Sequence, residues 1–446
     1  MTSDPITGQA QQQPSDTSVL EALAERTVAL VHERDARDEA TIEANVSVSR
    51  SRHGLTRFAN SFIHQHVGED TIEVSLTLAV DGRPTSTSTT ATDDGSLEQL
   101  VDGAIASARL QPLDPHWPGA TPPADITDHG RVDAATAAAS PDERAGLVRD
   151  FVAAGDGLRA AGYCDTELSQ AAFASTAGHR ISGATTRATI DGIHQTTSSA
   201  GSAHGTSIRL AELDADRAGH TAADLARRSQ DAIDLDPGEY EVVLGPEAVA
   251  TVLTFLAVYG FNAKSHLEGS SFAQLGEQQF DAAITILADP DDPRRIGLPF
   301  DAEGSPRQRF ALVHAGVTTA LAHDRRTARR ARTTTTGNAI PGGAAVGPVP
   351  TDVRMPPGET TPTEMIRSVR RGLLVTEFNY VRILDPKTTV ATGLTRNGTF
   401  LIEDGEVTDP VGNLRFTQSF HDALAEGRVA AVGDDDRYAD GELGSG

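Results

Sequence analysis

The sequence predicts an α+β protein of two domains. The first half twice sets a helix-like segment ahead of an alternating apolar and polar run, whereas the second half is dominated by short apolar strands with few helices. At 446 residues, the chain also exceeds what one ordinary core holds. The expected division is a disordered tail over 1–16, an α/β domain with antiparallel meanders over 17–235, a mainly β domain over 236–435 and a disordered acidic tail over 436–446.

In order along the chain, "SVLEALAERTVALVHERDARD" carries Leu20, Leu23, Val28 and Val31 on one helical face. The stretch from Ala40 to Thr90 alternates apolar and polar residues, with turn signals at "HG", "GED" and "DGRP", and reads as a meander. "DGSLEQLVDGAIASARL" reads as a helix with Ser96 at its start, and the Pro-rich "QPLDPHWPGATPPADITD" as a loop. "SPDERAGLVRDFVAAGDGLRAAG" is a helix with Ser140 as N-cap and Pro141 in its first turn. A second meander, Tyr163 to Leu213, and a short helix, "TAADLARRSQDAI", close the first half. After the turn in "DLDPGEYEVVLGPEA", Gly-Pro opens an apolar helix, "TVLTFLAVYG"; strands follow at "AAITILADP", "RQRFALVHAG" and "GTFLIEDGEV". The long loop "TTTTGNAIPGGAAVGPVPTDVRMPPGET" exceeds an ordinary connection, which marks it as functional or disordered.

The formal charge is −25, from 63 acidic and 38 basic residues, so a nucleic-acid backbone or an anionic membrane surface is repelled. Lys264 and Lys387 are the only lysines; an acidic, Arg-rich surface of this kind suits high salt, where carboxylates stay hydrated and screened. Cys164 is the sole cysteine, which excludes an intrachain disulfide and fits a reducing cytoplasm. The first twenty residues show no signal-peptide pattern, and no run of 18 apolar residues occurs.

Few motifs carry chemistry. His32-Glu33 has no second histidine after it and reads as a solvated helix face. His64 and His66 share one strand face but lack a third ligand nearby. Asp301 and Glu303 are a candidate acid/base pair, although beside Gly304-Ser305-Pro306 such carboxylates more often satisfy turn amides. "ADPDDP" at 288–293 reads as a turn cluster with weak cation-binding potential. No dinucleotide fingerprint, P-loop or nucleophile elbow is present.

From about Asp236, the segments "EYEVVLGPEA", "GSSFAQLGEQ", "LPFDAEGSPRQRFALVHAGV", "TTTTGNA", "RRGLLVTEF" and "GTFLIEDGEVTDPVGNLRFTQS" together resemble the TldD/TldE (PmbA) family of metalloproteases. The resemblance implies a metal motif, His-Glu-x-x-x-His, on the helix after "VVLG", completed by a downstream Cys. Here those positions fall on Thr254, Phe255 and Tyr259, with the Cys position near Thr395 or Arg396. Thr and Phe offer zinc no strong donor and Tyr replaces an imidazole, so no metal ligand and no catalytic residue is expected in this chain. Val252, Phe255, Leu256 and Tyr259 form an apolar stripe instead. His266, followed by Glu268, lacks companions and reads as a surface or interface residue.

The implied role is that of the TldE/PmbA-type subunit. It pairs with a TldD-type chain that carries zinc, and the two process unfolded peptides. Phe255, Tyr259, Phe272, Thr335, Thr336 and Asn338, with the rest of the threonine run from 333, are the candidates for contact with peptide or partner. A self-sufficient hydrolase built on Asp301, Glu303 or His266, and a non-enzymatic binding or scaffold protein, are the alternatives.

The charge balance yields a first prediction. In dilute buffer, unscreened carboxylate repulsion should unfold the chain, and molar salt should restore the circular-dichroism signal of the folded state; an unfolding midpoint indifferent to salt contradicts the high-salt reading.

Overall fold

A computed structural model describes residues 15–37, 39–126 and 131–439; the outer parts of the two expected tails, 1–14 and 440–446, lie outside them. The elements run α1 (Ser18–Asp35), β1 (Ile42–Ala59), β2 (Phe62–Val80), β3 (Arg83–Thr89), α2 (Asp94–Ala108), α3 (Ala134–Ala137), α4 (Pro141–Ala154), β4 (Arg159–Ser175), β5 (Arg180–Gln195), β6 (Ala200–Ser207) and α5 (Ala215–Arg228). The second half continues with β7 (Glu241–Leu244), α6 (Pro246–Phe255), a π-helical turn (Leu256–Gly260), α7 (Ala263–Leu267), β8 (Ile286–Ala288), β9 (Phe310–His314), β10 (Val317–Thr318), α8 (Arg325–Ala331), β11 (Val353–Arg354), α9 (Pro362–Ser368), β12 (Arg371–Asp385), β13 (Val390–Glu403), β14 (Glu406–Pro410), β15 (Arg415–Ser419) and α10 (Phe420–Ala423). The protein is α+β, as its sequence predicts.

The two N-terminal meanders merge into one six-stranded sheet, ordered β3-β2-β1-β4-β5-β6. Ile42, Ala44, Val46 and Val48 of β1 and Val74, Leu76 and Leu78 of β2 meet Leu20, Val28 and Val31 of α1 and Leu97 and Val101 of α2 in one dry cluster. A second cluster places Phe58, Cys164 and Ile190 under Val148 and Phe151 of α4 and Ala222 of α5. Each fully buried Leu, Val or Phe there contributes about 1.5–3 kcal/mol.

The predicted turns at "HG" and "GED" are corrected by the structure. Gly54 and Gly68 face each other inside a long β1–β2 hairpin, and the chain reverses at Asn60 and Ser61, whose φ values of 51° and 65° are left-handed. Gly54 serves a close approach rather than a turn, since a Cβ there would lie 2.6 Å from Nη1 of Arg144. That buried guanidinium donates to the Ala139 carbonyl and to Thr166 Oγ1, each at 2.9 Å. The Asp81-Gly82 turn stands where "DGRP" places it, with φ of 48° and 72°.

Helix starts divide in the same way. Ser140 caps α4 in a full capping box with Glu143, and Pro141 sits in the first turn. In α2 the cap is Asp93, whose carboxylate accepts from Ser96 N, so Ser96 lies inside the helix and not at its start. α5 begins at Ala215 under an Asp214 cap, six residues before the expected Thr221. Gly219, an unpromising residue for a helix, is there because a Cβ would lie 2.4 Å from the Phe151 carbonyl of α4.

The second half forms a four-stranded sheet, β10-β9-β8-β11, and a five-stranded one, β14-β13-β12-β7 with β15 on β13. Between them lies an aromatic core. Eight of the chain's 14 phenylalanines, at 255, 261, 272, 280, 310, 378, 416 and 420, pack within or against it, so a chain poor in aromatics concentrates them where this half is held together.

Arginine forks join the halves. Arg325 of α8 donates to the carbonyls of Pro118, Gly119 and Ala120 and to Thr121 Oγ1, in the loop after α2. In the reverse direction, buried Arg131 donates to the carbonyls of Pro290, Asp292 and Arg295. Asp436 and Arg437, placed in the expected tail, are also tied down, to Arg294 and Arg354 and to Glu247 respectively.

Arg131→Met keeps the side chain's bulk but strands three carbonyl acceptors. It should destabilise the protein by about 2–4 kcal/mol, read as a lower urea midpoint at unchanged slope; loss of less than ~0.5 kcal/mol would show that water replaces the guanidinium.

Candidate functional site

The site is a cleft of about 1430 Å³ in the C-terminal half, and local sequence explains its main wall. β7 pairs in parallel with β12, and Gly245 lets the chain turn hard against it, since a Cβ there would lie 2.8 Å from the Thr376 carbonyl. Pro246 then opens α6. The helix widens after Phe255: Phe261 N donates to the Leu256 carbonyl, five residues back, at 2.9 Å. Gly260 ends the widened turn because the Phe272 ring occupies the space of its missing side chain.

One face of α6 and its extension, with Val249, Leu253, Thr254, Ala257 and Val258, looks into the cleft. Two edge strands, β7 and β11, which end their respective sheets, also line it. Phe378, Phe416 and Phe420 add an apolar surface, and Arg294, Arg354 and Asp435–Ala439 lie at its polar boundary.

Thr254 and Thr395 line the same cleft, so the positions where the resemblance sets the first metal-binding His and the Cys are brought together. Their chemistry does not fit a metal. Thr254 Oγ1 donates to the Ala250 carbonyl at 2.8 Å, Phe255 is 2% exposed with its ring edge-on to Phe420, and Tyr259 packs its ring 5.8 Å from that of Phe255. Arg396 donates to Asn379. Among the described residues, no group of three or more His, Cys, Asp or Glu side chains is arranged to hold a metal ion.

The remaining contact candidates serve the chain's own structure. Phe272 is 9% exposed and packs against Phe261, Phe280 and His421. Thr335 and Thr336 both donate to the His323 carbonyl, and Asn338, 3% exposed, donates to Thr336. Those hydroxyls brace a loop. Of the six candidates, Phe255, Phe272 and Asn338 lie inside the fold, and the cleft wall presents Thr254, Ala257, Val258 and Thr395 in their place.

His266 lies 3.0 Å from the Ala273 carbonyl through Nδ1. His66 Nδ1 meets Thr56 Oγ1 at 2.9 Å, and Glu33 pairs with Arg26 and Arg34. Burial pushes the Cys164 thiol up to about 12, which leaves it protonated and inert.

The acidic "ADPDDP" cluster is answered from within the chain. Asp289 faces Arg309 and Arg354, and Asp292 faces Arg294 and Arg354. Sequence reasoning missed these arginines, although Arg294 and Arg295 directly follow the acidic run.

Comparison with known proteins places these features in a lineage. A family model of the PmbA/TldA metallopeptidase C-terminal domain matches residues 237–445. A protein of Methanothermobacter thermautotrophicus named "Metalloprotease" is 27% identical over 297 residues, 63% of this chain and 63% of that one, so the match spans less than two thirds of this relative. Two solved structures share the fold: a Thermotoga maritima protein provisionally described as a modulator of a DNA gyrase (TM-score 0.82, 18% identity, 94% of this chain and 96% of that one) and TldE from Thermococcus kodakarensis (TM-score 0.80, 17% identity, 90% and 92%).

The candidate acid/base pair lies outside the cleft, at the seam between the halves. Asp301 accepts from the amides of Glu303, Ser305 and Ala339, as a turn carboxylate does. Glu303 accepts from Arg325 N, and its own carbonyl accepts from Thr121. Burial first, then the Asp301 and Asp324 carboxylates, push Glu303 up to about 8, against the opposing Arg325 amide and charge. The folded protein therefore retains a proton that the unfolded chain releases near pH 4.5. This contribution to stability is complete below that pH and is lost as pH rises through about 8. Glu303→Gln should flatten that descent and raise the urea midpoint at pH 8; a parallel pH profile for the variant contradicts the assignment.

Proposed function

We propose that this chain, which belongs to the TldD/TldE (PmbA) family, is the metal-free subunit of a two-chain metalloprotease. It shapes the chamber in which an unfolded peptide is held, while a TldD-type partner carries zinc and performs the hydrolysis. The observation behind this reading is the cleft wall itself. It offers Thr254 and Thr395 at or near positions where the resemblance calls for imidazole and thiolate donors, and Tyr259, at the second imidazole position, packs on Phe255 instead.

The cleft's other walls suit an extended peptide. A strand at a sheet edge presents unpaired amides and carbonyls, and a peptide adds to such an edge through main-chain hydrogen bonds without regard to its sequence. β7 and β11 are two such edges, and apolar side chains between them supply affinity for chains that have not buried their own. The acidic surface disfavours nucleic acid, and among the described residues no helix is long and apolar enough to cross a membrane. The cytoplasm is the proposed compartment, since the lone Cys164 forms no disulfide.

The test is reconstitution. The chain alone should contain no stoichiometric zinc and cleave no unfolded casein, whereas the mixture with a TldD-type chain should bind zinc, elute as one complex and cleave in a chelator-sensitive way. Chelator-sensitive hydrolysis by the chain alone overturns the proposal, and chelator-insensitive hydrolysis by the chain alone establishes the self-sufficient reading.

A further inference from the structure

The cleft's polar end is built around a carboxylate that belongs to the chain's own C-terminal segment. Asp434 N donates to the Thr360 carbonyl at 3.0 Å, which sets the segment beside the loop before α9. Asp436 then reaches two arginines. Its Oδ2 accepts from Arg354 Nη2 at 2.7 Å and from Arg294 Nη2 at 3.1 Å, while its main-chain carbonyl accepts from Arg294 Nη1. Arg437 donates to Glu247 in the first turn of α6 at 2.7 Å. Residues 436 and 437 thereby bridge the cleft from the arginine pair to the helix wall.

The charge inventory identifies Asp436 as the exchangeable member. Arg294, Arg309 and Arg354 contribute three positive charges, and Asp289 and Asp292, on the loop after β8, contribute two negative ones. Asp436 supplies the third, and its departure leaves one positive charge uncompensated. Arg354 Nε also lacks a hydrogen-bond partner although it lies 3.4 Å from Asp292, too poorly aligned to donate. The two arginines retain 40% and 30% of their side-chain exposure, so solvent and solutes reach them. A guanidinium fork matches oxyanions such as carboxylate and phosphate, and the one held here is a carboxylate, that of Asp436.

We infer that Arg294 and Arg354 form a carboxylate-binding subsite of the cleft, which recognises a carboxylate of an extended peptide and which Asp436 occupies while the subunit is unliganded. This rests on the reading of the cleft as a peptide site. The segment 434–439 is then a strap, and an intramolecular occupant competes at a high effective concentration. A peptide that brings both a carboxylate and apolar contacts displaces it most readily, and a simple dicarboxylate does so only at high concentration.

The test uses the full chain and fluorescein-labelled unfolded peptides of alternating Val and Thr in three forms: a free C-terminal carboxylate, a C-terminal amide, and the amide with one internal Asp. Wild type should bind the free acid more tightly than the amide, Asp436→Asn should raise affinity for the acid about three- to tenfold, and Arg294→Gln with Arg354→Gln should make acid and amide equal. Recovery of binding by the internal Asp identifies a side-chain carboxylate as the ligand, and its failure identifies the C-terminus. Equal affinities for acid and amide in wild type and Asp436→Asn overturn the subsite while leaving peptide binding intact. A peptide-free arm separates the two readings: hydrogen exchange at 434–439 should accelerate when millimolar succinate is added to wild type and should already be fast in Asp436→Asn. Unchanged exchange in both overturns the subsite, and accelerated exchange without peptide binding overturns the peptide reading alone.

Discussion

Guanidinium groups that grip main-chain carbonyls across the boundary between the two halves set the geometry of the molecule. Arg131 is the decisive one, because the carbonyls it holds, at 290, 292 and 295, belong to the loop that carries Arg294 and Arg295. With that loop fixed, Arg295 turns inward to Asp352 and Arg294 outward to Asp292 and Asp436. One buried cation from the first half thus shapes the polar end of a cleft in the second. Arginine suits the task where lysine does not: its planar fork offers five donors to several carbonyls at once and stays charged when desolvated.

The helix beside the cleft is held in place by apolar packing. α6 follows β7 through a Gly-Pro turn, and its widened turn delivers one face to the cleft. The side chains at 255 and 259 have joined the aromatic core, where ring contacts with Phe420 and with each other hold the helix in place. Such packing requires only volume and period, whereas coordination requires donors at fixed distances.

Carboxylates act in this protein mostly through arginine and through main-chain amides. Asp301 gathers three amides, Asp93 and Asp214 begin helices, and Asp289, Asp292 and Asp352 face the buried or half-buried guanidinium groups of Arg354, Arg294 and Arg295 respectively. Glu303 is the exception, since burial first and then the Asp301 and Asp324 carboxylates push it up to about 8. A surface with few lysines and many acids leaves arginine as the residue that organises the interior charges.

Local chemistry was legible in the residues themselves. The capping box at Ser140, the Asp81-Gly82 turn, the strand periods and the lack of metal donors at Thr254 and Phe255 are properties of a few neighbouring residues, and the fold class follows from their sum. What depends on distant partners was not legible. Gly54 and Gly68 read as turns because nothing nearby announces that Arg144, ninety positions on, fills the space a side chain would need at Gly54. Phe255, Phe272 and Asn338 read as surface candidates because burial is decided by which elements meet, and Asp436 read as tail because its two arginines stand 142 and 82 residues away in the chain. Hydrogen-bond donors, caps and periodicity travel with the chain, whereas burial and ion pairing exist only once folding has closed those long loops.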